Sequence, residues 1–152
     1  MSKPLFNVRV YGLLLNDNQE VLLSDEEEFG KRFTKFPGGG LEYGEGLIEG
    51  LKREFLEECN LVVEVEKHFY TTDFFVESVF GGGQLISVYY LVKPQQSIDF
   101  KISSLPFDFE VQNAAAKQSF RFISINELGE EHVTFPIDKH VVKLLRKKFN
   151  II

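Results

Sequence analysis

The stretch that decides the fold is Gly38–Leu61, which reads GGGLEYGEGLIEGLKREFLEECNL. Three consecutive glycines open it, and the segment that follows, 45–59, has the apolar spacing of an amphipathic helix. Its predicted apolar face consists of Leu47, Ile48, Leu51 and Phe55. Asn60 comes next, and asparagine tolerates the left-handed conformation in which helices often end. The stretch therefore predicts a glycine-rich loop that leads directly into a helix.

Three carboxylates lie close together on this predicted helix. Glu54, Glu57 and Glu58 are three and four positions apart, so their side chains are neighbours on the helix surface and repel one another. A divalent cation would turn this repulsion into attraction, and carboxylate oxygens are ligands that Mg²⁺ prefers. The alternative is a solvated acidic face whose charge is balanced by Lys52 and Arg53.

Composition and charge limit the function classes. A chain of 152 residues fits one globular domain, and its net charge of −6 argues against a nucleic-acid duplex as partner. No apolar run approaches the ~20 residues of a membrane span, and the start lacks the pattern of a secretory signal. Cys59 is the single cysteine, which favours the cytoplasm and a packing role for that side chain.

The flanking sequence predicts strands before and after the helix. The predicted strands and β-rich stretches are Asn7–Leu15, Glu20–Ser24, Phe33–Phe36, Val62–Val79, Gln84–Val92 and Phe120–Ser124. The acidic run Asp25–Glu28 reads as a solvated loop, Gly81–Gly83 as a hairpin turn and Ser103–Ser119 as irregular. After Pro136, apolar residues every fourth position predict a C-terminal helix that carries Ile137, Val141, Leu145 and Phe149. This order of elements is typical of an α/β or α+β sandwich.

The glycine loop and the carboxylate helix together resemble the Nudix hydrolase family, whose box is G-x5-E-x7-R-E-U-x-E-E-x-G-U, where U is a bulky apolar residue. The matching positions are Gly39, Glu45, Arg53, Glu54, Phe55, Glu57, Glu58 and Leu61. Asn60 replaces the family's glycine, and we expect the turn to survive this change. The resemblance implies a single domain over 1–152 with an α/β/α sandwich fold and a mixed β-sheet.

The resemblance also implies the chemistry. Nudix enzymes use Mg²⁺, with Mn²⁺ as an alternative ion, to hydrolyse a nucleoside diphosphate linked to another moiety. The metal ligands would be Glu54, Glu57, Glu58 and the Gly39 carbonyl, and Arg53 would orient the carboxylates as a partner of Glu45. The expected partner is a small nucleotide, with no nucleic-acid duplex and no membrane, and a homodimer is left open.

Two parts of the chain are candidates for the residue that activates water. The family uses either a box glutamate or an acid in the loop before the last strand, and this chain has Lys117-Gln118-Ser119 there. We therefore predict Glu57 and Arg53 as the catalytic pair, with Asp108 and Glu110 as competing bases. Candidate phosphate contacts are Arg9, Arg32 and Lys35, and candidate stacking residues are Tyr43, Phe33 and Tyr11.

The sequence downstream of the box bears on the substrate. Residues 75–80 carry neither the proline of ADP-ribose enzymes nor the tyrosine of dinucleoside polyphosphate enzymes, which favours a nucleoside triphosphate or a small nucleoside diphosphate derivative. The alternative function is a Nudix-like module that binds a nucleotide without turnover. Retention of all three carboxylates favours the enzyme.

Overall fold

The computed structural model describes residues 5–79, 82–110 and 114–151. The chain forms two compact units, each with its own sheet and helix. The first takes its described residues from Met1–Leu14 and Pro37–Ile98, and the second takes them from Leu15–Phe36 and Asp99–Ile152. No helix among the described residues has the length and apolar character needed to cross a membrane.

The first unit contains a four-stranded mixed sheet. Its strands are β1 (Phe6–Leu14), β4 (Gly38–Gly40), β5 (Val63–Thr71) and β6 (Gln84–Pro94), in the order β4-β1-β6-β5. β1 runs parallel to β6, and the other two pairings are antiparallel. Val10, Leu13 and Leu14 of β1 are fully buried, as expected for a central strand that is covered on both faces.

The helix α1 (Leu47–Cys59) follows β4 in the same unit. It buries Leu51, Phe55 and Cys59. The Phe55 ring packs directly on Gly12 of β1, where an added Cβ would lie 2.5 Å from the ring. The prediction that Ile48 belongs to the buried face is wrong, because its side chain is 45% exposed. The left-handed helix end is confirmed at Asn60, with φ 51° and ψ 38°.

The second unit contains a three-stranded antiparallel sheet. Its strands are β2 (Glu20–Glu28), β3 (Lys31–Lys35) and β7 (Ala116–Ser124), in the order β3-β2-β7. The C-terminal helix α2 (Pro136–Lys148) is confirmed, with Ile137, Val141 and Leu145 buried, but it ends before Phe149. A 3₁₀ turn, Glu130–His132, precedes it.

The prediction that the acidic run Asp25–Glu28 is a solvated loop is wrong. Residues 25–28 belong to the strand, and Asp25 is fully buried. Its carboxylate accepts hydrogen bonds from Arg121 Nε at 2.7 Å and Thr34 Oγ1 at 2.6 Å. Glu26 is 8% exposed, with Oε2 3.1 Å from Lys35 Nζ. Because each buried charge has a partner, the strand continues where the sequence predicted a solvated loop.

Two other predicted segments differ in extent. β5 ends at Thr71, and the connection to β6 closes with the Ser78 N–H donating to the Gly83 oxygen at 2.8 Å. Gly82 and Gly83 have φ of 86° and 84°, whereas Gly81 lies outside the described residues. The stretch predicted to be irregular, 103–119, already enters β7 at Ala116, and residues 111–113 lie outside the described part. The mixed α/β class with a mixed sheet is confirmed.

Candidate functional site

The glycine strand β4 brings the backbone against the carboxylate helix. Gly38 has φ +144°, and a Cβ there would overlap the Val10 carbonyl oxygen on the neighbouring strand. A Cβ at Gly39 would lie 2.8 Å from the Glu54 carboxylate. Position 38 therefore requires glycine for its backbone conformation, whereas glycine at position 39 leaves room for the Glu54 carboxylate against the strand.

Glu58 is tied to the same strand from the next turn of α1. Its Oε2 accepts a hydrogen bond from the Gly38 N–H at 3.1 Å. Glu54 and Glu58 are partly buried, whereas the Glu57 side chain is 58% exposed. The spacing of the three glutamates thus puts two of them against β4 and leaves the third toward solvent.

Arg53 is the centre of the polar network in this unit. Its Nε donates to Glu45 Oε2 at 2.9 Å, and its Nη2 donates to Glu45 Oε1 at 2.6 Å and to the Gly40 carbonyl at 3.0 Å. Its Nη1 donates to Glu54 and to Glu57, each at 3.1 Å. One guanidinium therefore connects β4, the loop that follows it and α1, as the bidentate fork of arginine allows.

These contacts set the electrostatics of the loop. Hydrogen bonds from Arg53, and then one from the Glu42 N–H, lower the pKa of Glu45 from 4.5 to about 2. The same pairing, led by the hydrogen bond to Glu45, raises the pKa of Arg53 above its ordinary value. Both groups are thus charged across the physiological range, so the Arg53–Glu45 ion pair does not titrate there.

The donor set fits a hard cation in its chemistry. Glu54, Glu57, Glu58 and the Gly39 carbonyl supply oxygen only, which suits Mg²⁺ or Mn²⁺ better than a soft metal. Across the described ranges, however, no three His, Cys, Asp or Glu side chains converge closely enough to hold a metal ion. Glu57 instead contacts Arg53. The residues are present, and Glu57 is the most exposed of the three carboxylates.

The predicted phosphate contacts are in different surroundings. Arg9 of β1 pairs with Gly40 in the sheet register and donates to the Tyr11 hydroxyl at 2.6 Å. Lys35 is buried with Glu26 in the second unit. Arg32, also in the second unit, pairs with a strand neighbour and lies over phenylalanine rings. Of the three, only Arg9 lies beside the glycine strand within the first unit.

The candidate stacking residues separate by burial. Tyr11 is 6% exposed and stacks on Tyr89, and Phe33 is 7% exposed and packs near Phe135. Tyr43 is fully exposed in the loop between β4 and α1. Only Tyr43 offers a free aromatic face among these three.

The competing bases belong to the second unit. Asp108 and Glu110 lie 3.4 and 3.9 Å from Lys101 Nζ. They help to line a cavity of about 780 Å³, together with Ser103 and Gln118. Both residues therefore line a cavity within their own unit.

Sequence reasoning missed two members of the Arg53 network. The Gly40 carbonyl accepts from Nη2, and Glu42 Oε1 lies 3.6 Å from Nη1. No sequence signal marks Glu42, because an acid in an exposed loop is usually only a solvated charge. The backbone N–H of Glu42 donates to Glu45 Oε1 at 2.9 Å, so the loop is hydrogen-bonded to the same carboxylate that pairs with Arg53.

Comparison with known proteins decides the family. The model of the NUDIX domain matches residues 5–145. The chain belongs to the Nudix family. A mouse relative, "8-oxo-dGDP phosphatase NUDT18", is 38% identical over 72 residues, which cover 41% of this Nudix chain and 22% of that protein. The Nudix chain thus matches about a fifth of the length of that curated relative.

Solved structures show the same fold. A NUDIX hydrolase from Nitrosomonas europaea has a TM-score of 0.68 at 20% identity, covering 93% of this chain and 89% of that one. A MutT structure from work on Aliivibrio salmonicida and Vibrio cholerae has a TM-score of 0.64 at 23% identity, and the match covers 95% of this chain and 99% of that one. An ADP-ribose pyrophosphatase from Streptococcus suis has a TM-score of 0.59 at 14% identity, and the match covers 94% of this chain and 91% of that one. At these identities the similarity shows the Nudix fold.

Proposed function

We propose that this Nudix protein is a Mg²⁺-dependent pyrophosphohydrolase that cleaves the diphosphate bond of a small nucleotide. The observation that carries the proposal is the approach of the glycine strand to α1. Glu54 packs on Gly39, Glu58 accepts from the Gly38 N–H, and Arg53 holds both the loop and the helix. This arrangement holds Glu54 and Glu58 beside the glycine strand, and Glu57 lies one helical turn from Glu54 on the same helix.

Glu54, Glu57, Glu58 and the Gly39 carbonyl would hold the cation. When bound, Mg²⁺ neutralises the diphosphate and acidifies water. Glu57 accepts the proton of the attacking water, whose oxygen forms a bond to phosphorus while the anhydride P–O bond breaks and the leaving phosphate keeps the electron pair. Arg53 fixes the direction of the carboxylates, and Arg9, beside Gly40, contacts a phosphate oxygen.

The proposed substrate is a nucleoside triphosphate or a small nucleoside diphosphate derivative. The mouse relative is described as an 8-oxo-dGDP phosphatase, which supports a purine nucleotide. Tyr43 is exposed beside the glycine strand and is the proposed stacking residue for the base. The family match spans parts of both units, which supports one Nudix domain over the chain. We place this activity in the cytoplasm.

The experiment is a screen for Mg²⁺-dependent phosphate or pyrophosphate release. Its substrates are nucleoside triphosphates, 8-oxo-dGDP and 8-oxo-dGTP, dinucleoside polyphosphates, nucleotide sugars, ADP-ribose and NADH. Activity on one group, lost on removal of the cation, is the expected result. Binding of a nucleotide without release from any substrate would refute the enzyme and favour a nucleotide-binding module.

The base is tested on the best substrate under saturating Mg²⁺. Glu57→Gln should lower turnover by at least about 10²-fold, the lower range for a positioned general base. Asp108→Asn and Glu110→Gln are matched controls, because each also exchanges a carboxylate for an amide. A larger loss in either control than in Glu57→Gln would assign the base to the second unit.

A further inference from the structure

Glu42 lies outside the pattern that defines the family box, yet it lies next to the centre of the site. Its Oε1 is 3.6 Å from Arg53 Nη1, and its own side chain is 66% exposed. Its backbone is fixed, because its N–H donates to Glu45 Oε1 at 2.9 Å. An exposed carboxylate whose backbone N–H is hydrogen-bonded to Glu45 thus lies beside the guanidinium.

The hydrogens of Arg53 explain why Glu42 stays at the longer distance. A guanidinium has five N–H groups, of which Nη1 carries two. Glu54 and Glu57 each accept from Nη1 at 3.1 Å, so both hydrogens of Nη1 have acceptors. At 3.6 Å, Glu42 is an ion-pair neighbour without a hydrogen bond of its own to that nitrogen.

The rest of the guanidinium is anchored independently of Nη1. Nε and Nη2 donate to Glu45 and to the Gly40 carbonyl, at distances between 2.6 and 3.2 Å. One acceptor of Nη1 can therefore leave without releasing Arg53. Glu57 is the acceptor that can leave most easily, because it is 58% exposed whereas Glu54 is 13% exposed.

We propose that Glu42 is a positioning residue that exchanges with Glu57 on Arg53 Nη1. The inference rests on the proposed function, in which a divalent cation draws Glu57 toward Glu54 and Glu58. When Glu57 leaves Nη1, Glu42 takes over the vacated hydrogen, and the partly buried guanidinium keeps an acceptor. The exchange lowers the free-energy cost of recruiting Glu57 and so raises cation affinity.

Substitutions at position 42 distinguish this exchange from a simple electrostatic attraction between the Glu42 charge and the cation. Glu42→Asp keeps the charge but shortens the side chain, so the exchange predicts weaker cation binding, whereas electrostatic attraction alone predicts wild-type cation binding. The expected loss is about 3- to 5-fold in Kd, the upper range for one exposed ion pair. Glu42→Gln should lose at least as much.

Glu49 provides matched controls in the same part of the chain. Its Oε1 accepts from the Gly46 N–H at 3.3 Å, at the start of α1, so it is an exposed acid with a local backbone contact. Glu49→Asp and Glu49→Gln should change Kd by less than about 1.5-fold, because exposed charges away from the ion are screened.

The experiment is calorimetric titration of the whole protein with Mn²⁺ and with Mg²⁺, with thermal melts to verify folding of each variant. Side-chain ¹⁵N spectra of Arg53 give a second readout, since cation addition should shift its Nη1 signal differently in Glu42→Asp and in wild type. Wild-type affinity and an unaltered Nη1 response in Glu42→Asp would overturn the exchange. Equal losses in the Glu42 and Glu49 variants would also overturn it. If wild type binds no cation, or Glu58→Gln leaves its affinity unchanged, the metal site of the proposed function itself fails.

Discussion

Replacement of Gly39 by alanine should separate cation binding from folding. The backbone of Gly39 does not adopt positive φ, so alanine is compatible with its conformation. The added Cβ would lie 2.8 Å from the carboxylate carbon and both oxygens of Glu54. Because that carboxylate is the end of a flexible side chain, it can move away while the strand stays in place.

The size of the effect follows from the required movement. Ordinary contact needs a separation near 3.4 Å or more, so Glu54 must shift by about half an ångström, and a 1 Å misplacement in a site typically costs about 10²-fold. We expect Gly39→Ala to weaken cation binding and to lower kcat/KM by about 10-fold. The free energy of unfolding should change by less than about 1 kcal/mol, because alanine also reduces the freedom of the unfolded chain.

The adjacent glycines are built-in controls. At Gly40 an added Cβ meets only Arg9 Nη1, at 3.7 Å, so Gly40→Ala should leave binding unchanged and stability equal or slightly higher. At Gly38 the Cβ would overlap the Val10 carbonyl, and φ is +144°. Gly38→Ala should therefore cost about 2–5 kcal/mol and lower Tm by about 5–15 °C.

The assay combines Mn²⁺ titration calorimetry with thermal melts of the three variants. The expected pattern is lost affinity at position 39, lost stability at position 38 and neither at position 40. Wild-type cation affinity in Gly39→Ala would refute the role of the Gly39–Glu54 contact. A large fall in Tm in the same variant would show that the strand, and not the carboxylate, gives way.

Three further predictions concern stability. Asn60→Gly should be near neutral and Asn60→Val should cost about 1 kcal/mol or more, because β-branched residues resist positive φ; a melt in which Asn60→Val equals wild type would contradict this. Since folding lowers the pKa of Glu45 from 4.5 to about 2, its ion pair stabilises the fold above about pH 4.5 and loses that effect as pH falls toward 2; urea melts of Glu45→Gln across this window should show a flatter pH dependence than wild type. Asp25→Asn should cost about 3–5 kcal/mol in urea melts, because it removes the buried charge that pairs with the mostly buried Arg121, and the partly exposed Glu27→Gln should cost much less.

Local patterns predicted the centre of the first unit well. The periodicity of α1 and the glycines before it depend on neighbours within about 24 residues, so spacing alone was sufficient to indicate a loop and a helix. The left-handed end at Asn60 followed from a single residue type. The roles of Glu54, Glu57 and Glu58 stay predictions, because they concern a bound cation.

Contacts between distant residues explain what the sequence did not reveal. The sequence predicts that Asp25 and Glu26 are solvated because nothing local identifies their basic partners. Arg121, which pairs with Asp25, is 96 residues away, and Lys35, which pairs with Glu26, lies in a different strand. Ile48 was assigned to the apolar face of α1, but the face that is buried depends on Phe55 packing at Gly12, which is a tertiary contact. Periodicity gives the width of an apolar stripe, and tertiary packing decides its edges.

The parallel pairing of β1 with β6 has a consequence for synthesis. The register begins at Phe6 opposite Gln84, so about 80 residues separate the partners, and a ribosome adding about 5–20 residues per second needs on the order of 4–16 s between them. During that delay one edge of a strongly apolar strand has no partner, which makes the nascent chain prone to aggregation. The four-stranded sheet can be completed only after Pro94 has emerged, so chains that stall earlier should depend on chaperones to remain soluble.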